Sequence, residues 1–438
     1  MVSDINITGN KKTKPNIILC ELELRKGDTV PENELQEKID KSQRNLLKTS
    51  LFNYVTIRPE IDSAHTTTTL NITVEERWYI WPQFNITPHN GNLNQWLANP
   101  DLDLIDYCIG VKKYNFRGRR EILYLNFRRG FNNITQFGYQ NIAFDQKRQH
   151  QASINISIRK QKSLILKTED NKAVTREFAG IKNAISEKRY ELTYTYRPAI
   201  NVINNFSIGH VDAQVADSVA IQNSDYLGNG RTNIKGVTLK YDFKLDKRSS
   251  AYYPLQGSFL ATSITKTGVM SKTIDTYMLD FDIRKYCMLN PRQYFATQIF
   301  YSTSSNSIPF YMMRSIGSKP NILEGYEYNM ITGKQMSYIK TSYKVELIKQ
   351  HILHLKRINI PKFNKIHYAV YLNTFANAGY VSSKKNDYTN NNTMNDTFLG
   401  AIGIGLDVVT YYDRVFTTYV THNMQGATYF GVGVKSAF

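Results

Sequence analysis

The sequence lacks long apolar segments: none of its 438 residues falls in an apolar run of roughly 18 or more, the length that marks a transmembrane helix. A helical membrane protein is therefore excluded. The mean hydropathy of −0.43 leaves a membrane β-barrel open, because only alternate residues of a barrel strand face lipid.

Cysteine is scarce as well. Cys20, Cys108 and Cys287 lie far apart and have no metal-ligand spacing. An odd, scattered set gives no disulfide framework, and we expect each to be a small buried or lipid-facing residue. Paired metal-binding histidines, phosphate loops and nucleophile elbows are also missing. We therefore predict no catalytic residue, no cofactor and no metal site, and we expect that the protein is not an enzyme.

Acidic residues are outnumbered, with 37 Asp and Glu against 55 Lys and Arg and a net charge of +18. Such a charge can indicate nucleic-acid binding. The cations are spread over strands and turns, however, and no basic helix or base-stacking module accompanies them. We expect no nucleic acid, and we assign the charge to anionic lipid headgroups and to the solvation of loops.

Tyrosine and phenylalanine are abundant, with 30 and 21 residues against 3 Trp, and Tyr is typical of the interface belts of membrane proteins. Strict alternation of polar and apolar residues recurs after Arg77, where the sequence predicts no helix. A soluble β-sandwich also alternates. The stretches here often reach ten residues, which fits a tilted membrane crossing better than the strands of soluble sheets.

About sixteen such stretches follow one another, an even number as single-chain barrels require. Connections after odd-numbered strands are mostly long and those after even-numbered strands mostly short, although the basic segment 347–365 breaks this rule. The even count places both chain ends on the periplasmic side. The predicted strands start near residues 78, 104, 120, 133, 150, 186, 201, 234, 256, 275, 293, 335, 366, 397, 414 and 427.

The final strand alternates up to the terminal residue. Phe430 and Phe438 lie on the predicted lipid face, whereas Gly431 and Gly433 lie on the other face. We interpret 427–438 as the strand that closes the barrel, with Phe438 as its terminal signal. No leader is visible, and we expect that one was removed and Met1 added. A mitochondrial or plastid origin is the alternative.

Residues 1–76 differ from the rest and predict a small α+β domain of order β-α-α-β-β. A strand runs through Ile5 and Ile7. Thr29 is the expected N-cap of a helix, and Ser42 is expected to start a second one. Two alternating strands, 54–57 and 70–74, complete the unit.

This N-terminal unit resembles a POTRA domain, and the whole chain resembles the BamA/TamA/Sam outer-membrane assembly superfamily, in its bacterial surface antigen and Bacteroidota-like branch. The POTRA resemblance rests on 5–10, 24–28, 47–55 and 72–77. The barrel resemblance rests on 78–82, 115–119 and an Asp-x-Pro-x-x-Gly-like turn between Asp246 and Gly257. It implies one POTRA domain (1–76) followed by a 16-stranded transmembrane barrel (77–438).

The resemblance also implies a loop, about 303–334, that folds back into the lumen. The family motif at its tip is Val/Leu-Arg-Gly-Phe/Tyr, and the matching residues here are Leu323, Glu324, Gly325 and Tyr326. Glu324 replaces the usual Arg. The family partner of that Arg is an acidic residue in an Asp-x-Gly context, which corresponds here to Asn377 and Gly379.

Both partners have thus changed in a compatible sense, since Glu and Asn can form a hydrogen bond. We predict that Glu324 contacts Asn377, with Arg314 or Lys334 balancing its charge. The alternative is that Glu324 points into lumen water. Asp280 and Asp282 are interpreted as lumen-facing residues rather than as a catalytic pair.

By resemblance, the protein is expected to insert or translocate β-barrel polypeptides at the outer membrane of a Gram-negative bacterium. The expected partners are unfolded outer-membrane clients, membrane lipids and accessory periplasmic or lipoprotein subunits. Two alternatives stay open. One is a two-partner-type polypeptide secretion pore, and the other is a structural barrel of the same family without insertase activity.

Overall fold

A computed structural model describes residues 1–62, 66–88, 96, 100, 102, 105–130, 132–178, 180–318, 320–354, 365–383, 389–410 and 414–434. It comprises an N-terminal α+β domain and a 16-stranded antiparallel β-barrel. Within these residues, no helix has the length and apolar character needed to span a membrane.

The N-terminal domain has the predicted order β-α-α-β-β. In its sheet the third strand lies in the centre, parallel to the first and antiparallel to the second. The apolar faces of the helices and the sheet form one buried core around Ile39, Leu46, Phe52 and Leu70. The elements are β1 (Val2–Thr8), α1 (Pro15–Leu19), α2 (Glu32–Lys48), β2 (Phe52–Ile61) and β3 (Thr68–Glu76).

The prediction of helix starts in this domain is wrong. Helix α1 precedes Thr29, and α2 begins after Pro31 with no side-chain cap. Ser42 starts no helix but lies inside α2, where its hydroxyl donates to Lys38 O (2.8 Å) and accepts from Glu23 N (2.9 Å). Serine can bond the carbonyl four residues earlier as well as cap a helix, and here the former occurs.

The barrel strands follow the predicted positions, and each starts within two residues of its expected start. They are β4 (Ile80–Pro88), β5 (Ile105–Phe116), β6 (Glu121–Gly130), β7 (Asn132–Ala143), β8 (His150–Gln161), β11 (Ile185–Ala199), β12 (Val202–Val215), β13 (Asn233–Asp246), β14 (Gly257–Val269), β15 (Thr276–Asn290), β16 (Gln293–Ser304), β19 (Gln335–His354), β20 (Lys365–Ser382), β22 (Leu399–Thr410), β23 (Arg414–Asn423) and β24 (Thr428–Val434).

Side chains alternate between an apolar exterior and a polar lumen. On β11, for example, Leu192 and Tyr194 are exposed, whereas Thr193 is buried and lies opposite Ser207 of β12, with their hydroxyls 2.8 Å apart. The strand order runs from β4 to β24. These two strands therefore flank the seam of the barrel.

The long connections lie at one rim, which we call the long-loop rim, and most of the short ones lie at the opposite, short-turn rim. At the long-loop rim the connections fold and pack around Leu164, Tyr226 and Phe310. One of them forms a six-residue helix, so the prediction of no helix after Arg77 is wrong. The elements within the long connections are β9 (Ser163–Glu169), β10 (Lys172–Glu177), α3 (Asp217–Gln222), β17 (Arg314–Ile316), β18 (Ile331–Gly333) and β21 (Thr389–Asn390).

Candidate functional site

The connection between β16 and β19 enters the barrel, as the resemblance implies. Leu323 and Tyr326 are fully buried, and they pack against barrel residues that include Met336, Val381 and Leu399. We call residues 305–334 the lumen loop. Its tip therefore lies against the inner wall formed by β19, β20 and β22.

The predicted contact between Glu324 and Asn377 is present. The Asn377 side-chain amide donates to the Glu324 carboxylate at 3.2 Å and to its carbonyl at 3.3 Å. The predicted counter-charge, however, is wrong. Lys340 of β19 places its Nζ 2.7 Å from the carboxylate and also donates to Ile322 O at 3.2 Å.

Arg314 instead pairs with another acid. Its guanidinium bonds both carboxylate oxygens of Asp280 on β15, which fixes the other side of the lumen loop. Asp282 pairs with Arg284 on its own strand (2.6 Å). Both aspartates are partly buried lumen residues that form ion pairs with arginines.

Two glycines let the loop approach the wall. A Cβ on Gly379 would lie 3.1 Å from Leu323 Cδ2, so this position leaves room for the loop leucine. Gly325 has φ of +99°, a conformation that side chains disfavour. Its carbonyl accepts a hydrogen bond from Asn423 Nδ2 at 2.7 Å.

The loop also reaches the closing strands. The Tyr326 hydroxyl bonds the backbone of Gly400 in both directions, at 2.9 Å each. Glu327 accepts hydrogen bonds from Gly325 N and from the hydroxyl of Tyr419 on β23. The Tyr419 ring occupies the space beside Gly431 of β24, where a Cβ would lie 2.2 Å from the ring. Gly431 therefore makes room for a residue that holds the loop.

The remaining predicted residues of the closing strand are partly described. Phe430 is 62% exposed on the outer surface, as predicted. Gly433 leaves open space beside Thr417 Oγ1, at 3.4 Å from a Cβ. Phe438 lies outside the described residues.

The N-terminal domain is fixed to the short-turn rim by a buried carboxylate. Glu21 is 2% exposed and bonds Arg197 of β11 (2.6 and 2.8 Å) and Arg120 of the β5–β6 turn (2.5 Å). Burial alone would raise the pKa of Glu21, but Arg120, Arg197 and the neighbouring Arg148 outweigh it and lower that pKa.

Further contacts spread around the same rim. Asn115 Nδ2 donates to Thr13 Oγ1 (2.8 Å), and Lys48 Nζ donates to the carbonyl of Asp246 (3.2 Å). At the start of β20, Lys365 Nζ lies 4.0 Å from the carboxylate of Glu75 in strand β3 of the N-terminal domain. The domain thus touches turns distributed along most of the rim.

Comparison with known proteins identifies this domain. The POTRA family model, described as a surface antigen variable number repeat, matches residues 1–77. Residues 1–77 are a POTRA domain. No curated protein sequence matches the chain closely enough to count as a relative.

The POTRA domain and barrel together have the fold of solved BamA and CdiB structures. BamA from Haemophilus ducreyi lacking POTRA domains 1–3 is 14% identical, with a TM-score of 0.52 over 99% of this chain and 82% of that chain. CdiB from Escherichia coli is 9% identical, with a TM-score of 0.55 over 99% of this chain and 74% of that chain. CdiB from Acinetobacter baumannii is 13% identical, with a TM-score of 0.51 over 97% of this chain and 70% of that chain. The predicted fold, a small N-terminal α+β domain followed by a 16-stranded β-barrel, is confirmed.

Three features of the site escaped the sequence analysis: Lys340, the Glu327–Tyr419 contact and the Glu21 cluster. Lys340 lies directly opposite Asn377 in the β19–β20 ladder. A correct register would have found it. The Glu21 cluster joins parts of the chain up to 176 residues apart, and no periodicity signals such a contact.

Proposed function

We propose that this protein is an outer-membrane assembly factor that inserts β-barrel polypeptides through the seam between β4 and β24. The observation that carries the proposal is the occupied lumen. The lumen loop is tied to β15 by Arg314, to β19 and β20 by Glu324, and to β23 by Glu327. A polypeptide would have to displace all these contacts to pass through the lumen, whereas the seam needs only two strands to part.

The last strand suits such an opening. Gly431 and Gly433 contribute no side chains to hold it, while Phe430 and Val434 remain exposed toward lipid. When the two strands part, their edges carry unpaired backbone N–H and C=O groups. Lipid hydrocarbon offers these groups no hydrogen bonds, whereas a client strand can pair with them. The driving force is the folding of the client, so the proposal needs no catalytic residue, cofactor or metal.

In the proposed orientation the POTRA domain lies in the periplasm. Edge strand β1 borders a cavity of about 480 Å³ between this domain and the barrel rim, lined by Asp4, Ile5 and Leu24 on one side and by Pro198 and Ile200 on the other. An extended client segment can add to such a sheet edge. Clients, lipids and accessory periplasmic or lipoprotein subunits are the proposed partners.

A polypeptide secretion pore is the second candidate, because CdiB shares the fold. Glu324 in place of the family arginine favours the third, a structural barrel without insertase activity. Disulfide locking separates these candidates in a background where Cys20, Cys108 and Cys287 are replaced by alanine.

Cysteine pairs are scanned across β4 and β24 to lock the seam. Thr193→Cys with Ser207→Cys is the matched control, because these residues face each other in the β11–β12 ladder. Glu324→Cys with Asn377→Cys locks the lumen loop to the wall. The protein is reconstituted in vesicles with a urea-unfolded eight-stranded barrel, whose insertion is followed by its heat-dependent migration in gels.

An insertase loses activity when the seam is locked and regains it with reductant, while the β11–β12 lock leaves it unaffected. A pore tolerates the seam lock and stops when the loop is locked. Equal insertion with and without the reduced protein would contradict the insertase and leave the pore and the structural barrel.

A further inference from the structure

The strand pair β19–β20 extends beyond its neighbour at the short-turn rim. β19 has 20 residues, but its ladder with β16 ends where Val345 lies opposite Gln293. The last bond on that side runs from Glu346 N to Arg292 O (2.8 Å). Residues 347–354 continue for about 27 Å at strand rise, paired only with β20 on their other side.

We call this stretch the β19 edge. Within the described parts of the chain, no strand pairs with the outer side of Leu347–His354. An exposed strand edge is a template for another strand, and soluble proteins usually protect it with charge, proline or a bulge. Here Lys349 is the one cation on the edge, and the edge ends at His354.

Large apolar side chains lie along the edge. Leu347 is 52% exposed, and Ile348, Ile352 and Leu353 are exposed to a similar degree. Leu353 lies opposite Ile366, whereas its neighbour Ile352 lies opposite His367. Cross-strand partners share one face of a ribbon, so apolar groups occur on both faces and an added strand would cover them.

The POTRA domain contacts this ribbon. Lys365, which pairs with His354, lies 4.0 Å from Glu75 and 5.5 Å from the centre of the Tyr54 ring. The edge therefore ends beside a contact with the POTRA domain.

The charge of the segment indicates what chemistry would bind. Its described residues, 347–354 and 365–366, contain no Asp or Glu and two cations, Lys349 and Lys365. An added strand with acidic side chains among apolar ones would complement both features. Lipid hydrocarbon would complement the apolar groups but would leave the backbone edge unsatisfied.

We propose that the β19 edge binds an extended segment of another polypeptide in which apolar and acidic residues alternate, added as a further β-strand. This site is separate from the seam and does not require insertase activity. Its free backbone groups supply the pairing, and Lys349 supplies the preference for acidic partners.

The test is amide hydrogen exchange of the full-length protein in nanodiscs of neutral lipid. The probe is a ten-residue peptide in which Val and Glu alternate, and a second peptide has Lys in place of Glu. At a free concentration about ten times its Kd, the acidic peptide should slow exchange of the bound amides about tenfold. The slowing should be confined to the β19 edge.

In the Lys349→Glu variant, the acidic peptide should no longer slow amide exchange at the β19 edge, and the lysine peptide should slow it instead. Binding of the lysine peptide would also show that the variant is folded. Leu353→Asp should weaken binding of the acidic peptide. Phe295→Asp is the matched control, because Phe295 is 38% exposed near the same rim but is paired on both sides, with Cys287 of β15 and Tyr343 of β19.

Two results would overturn the proposal. One is unchanged exchange at the edge with either peptide at millimolar concentration. The other is equal protection in nanodiscs of anionic phosphatidylglycerol without any peptide, which would assign the edge to the lipid surface.

Discussion

Replacing Glu324 by Gln should free the tip of the lumen loop while leaving the barrel folded. Glu324 and Lys340 are both 8% exposed in their side chains, and their charged atoms lie 2.7 Å apart. Removing one partner of such a buried pair costs about 3–5 kcal/mol, because the remaining charge stays buried. Local opening of the loop should therefore increase by a factor of roughly two hundred to several thousand.

The amides of residues 320–333 report this opening by hydrogen exchange. Glu169→Gln is the matched control, because Glu169 pairs with Lys167 at the long-loop rim but is 39% exposed, and exposed pairs contribute about 0–1 kcal/mol. Its exchange should stay close to that of the unmodified protein.

The double change Glu324→Leu with Lys340→Met should restore most of the protection, since an apolar pair of similar volume often replaces a buried ion pair at little cost. Glu324→Arg should open the loop more than Glu324→Gln, because like charges about 4 Å apart repel by about 4 kcal/mol at an effective dielectric of 20. The reasoning fails if Glu324→Gln behaves like the exposed control, or if the double variant is as open as the single one.

Two further predictions concern the barrel ends. Glu21→Gln should release the POTRA domain, with faster exchange in α1 and the β5–β6 turn, whereas Glu23→Gln, a change at an exposed neighbour, should not. Because the pKa of Glu21 is lowered in the folded protein, its stabilisation is complete above the ordinary pKa of about 4.3 and is lost as pH falls through the lowered value; release already at pH 6 would contradict this. Gly431→Val should displace Tyr419, since even a Cβ would lie 2.2 Å from the ring. In gel-shift assays it should lower the thermal midpoint of the barrel by more than Gly433→Val does, because the space beside Gly433 is open. Equal effects of the two valines would show that Gly431 has no packing role.

The barrel strands were predictable because period-two alternation with lipid outside and water inside is repeated in every strand. The loop tip was predictable from the family motif, which placed Glu324 beside Asn377. Lys340 was not. Bulges at Glu346–Ile348 and Ile348–His351 shift the β19–β20 register, so counting back from the hairpin does not bring Lys340 opposite Asn377.

The predictions of the helices were wrong for a different reason. Ser42 has two competing hydrogen-bonding modes, and the sequence does not show which one the fold selects. The six residues of α3 are too few to establish a helical period. The Glu21 cluster depends on how the two domains dock, and only the tertiary structure supplies that information.

The inverted polarity of the Glu324–Lys340 pair restricts which parts this barrel can exchange with related barrels. A grafted loop carrying arginine at position 324 would meet the ammonium group of Lys340 on the wall, and a grafted β20 carrying an acid at position 377 would meet a carboxylate on the loop. Chimaeras should therefore fold well only when loop and wall are transferred as one unit, and natural recombination between such lineages faces the same barrier.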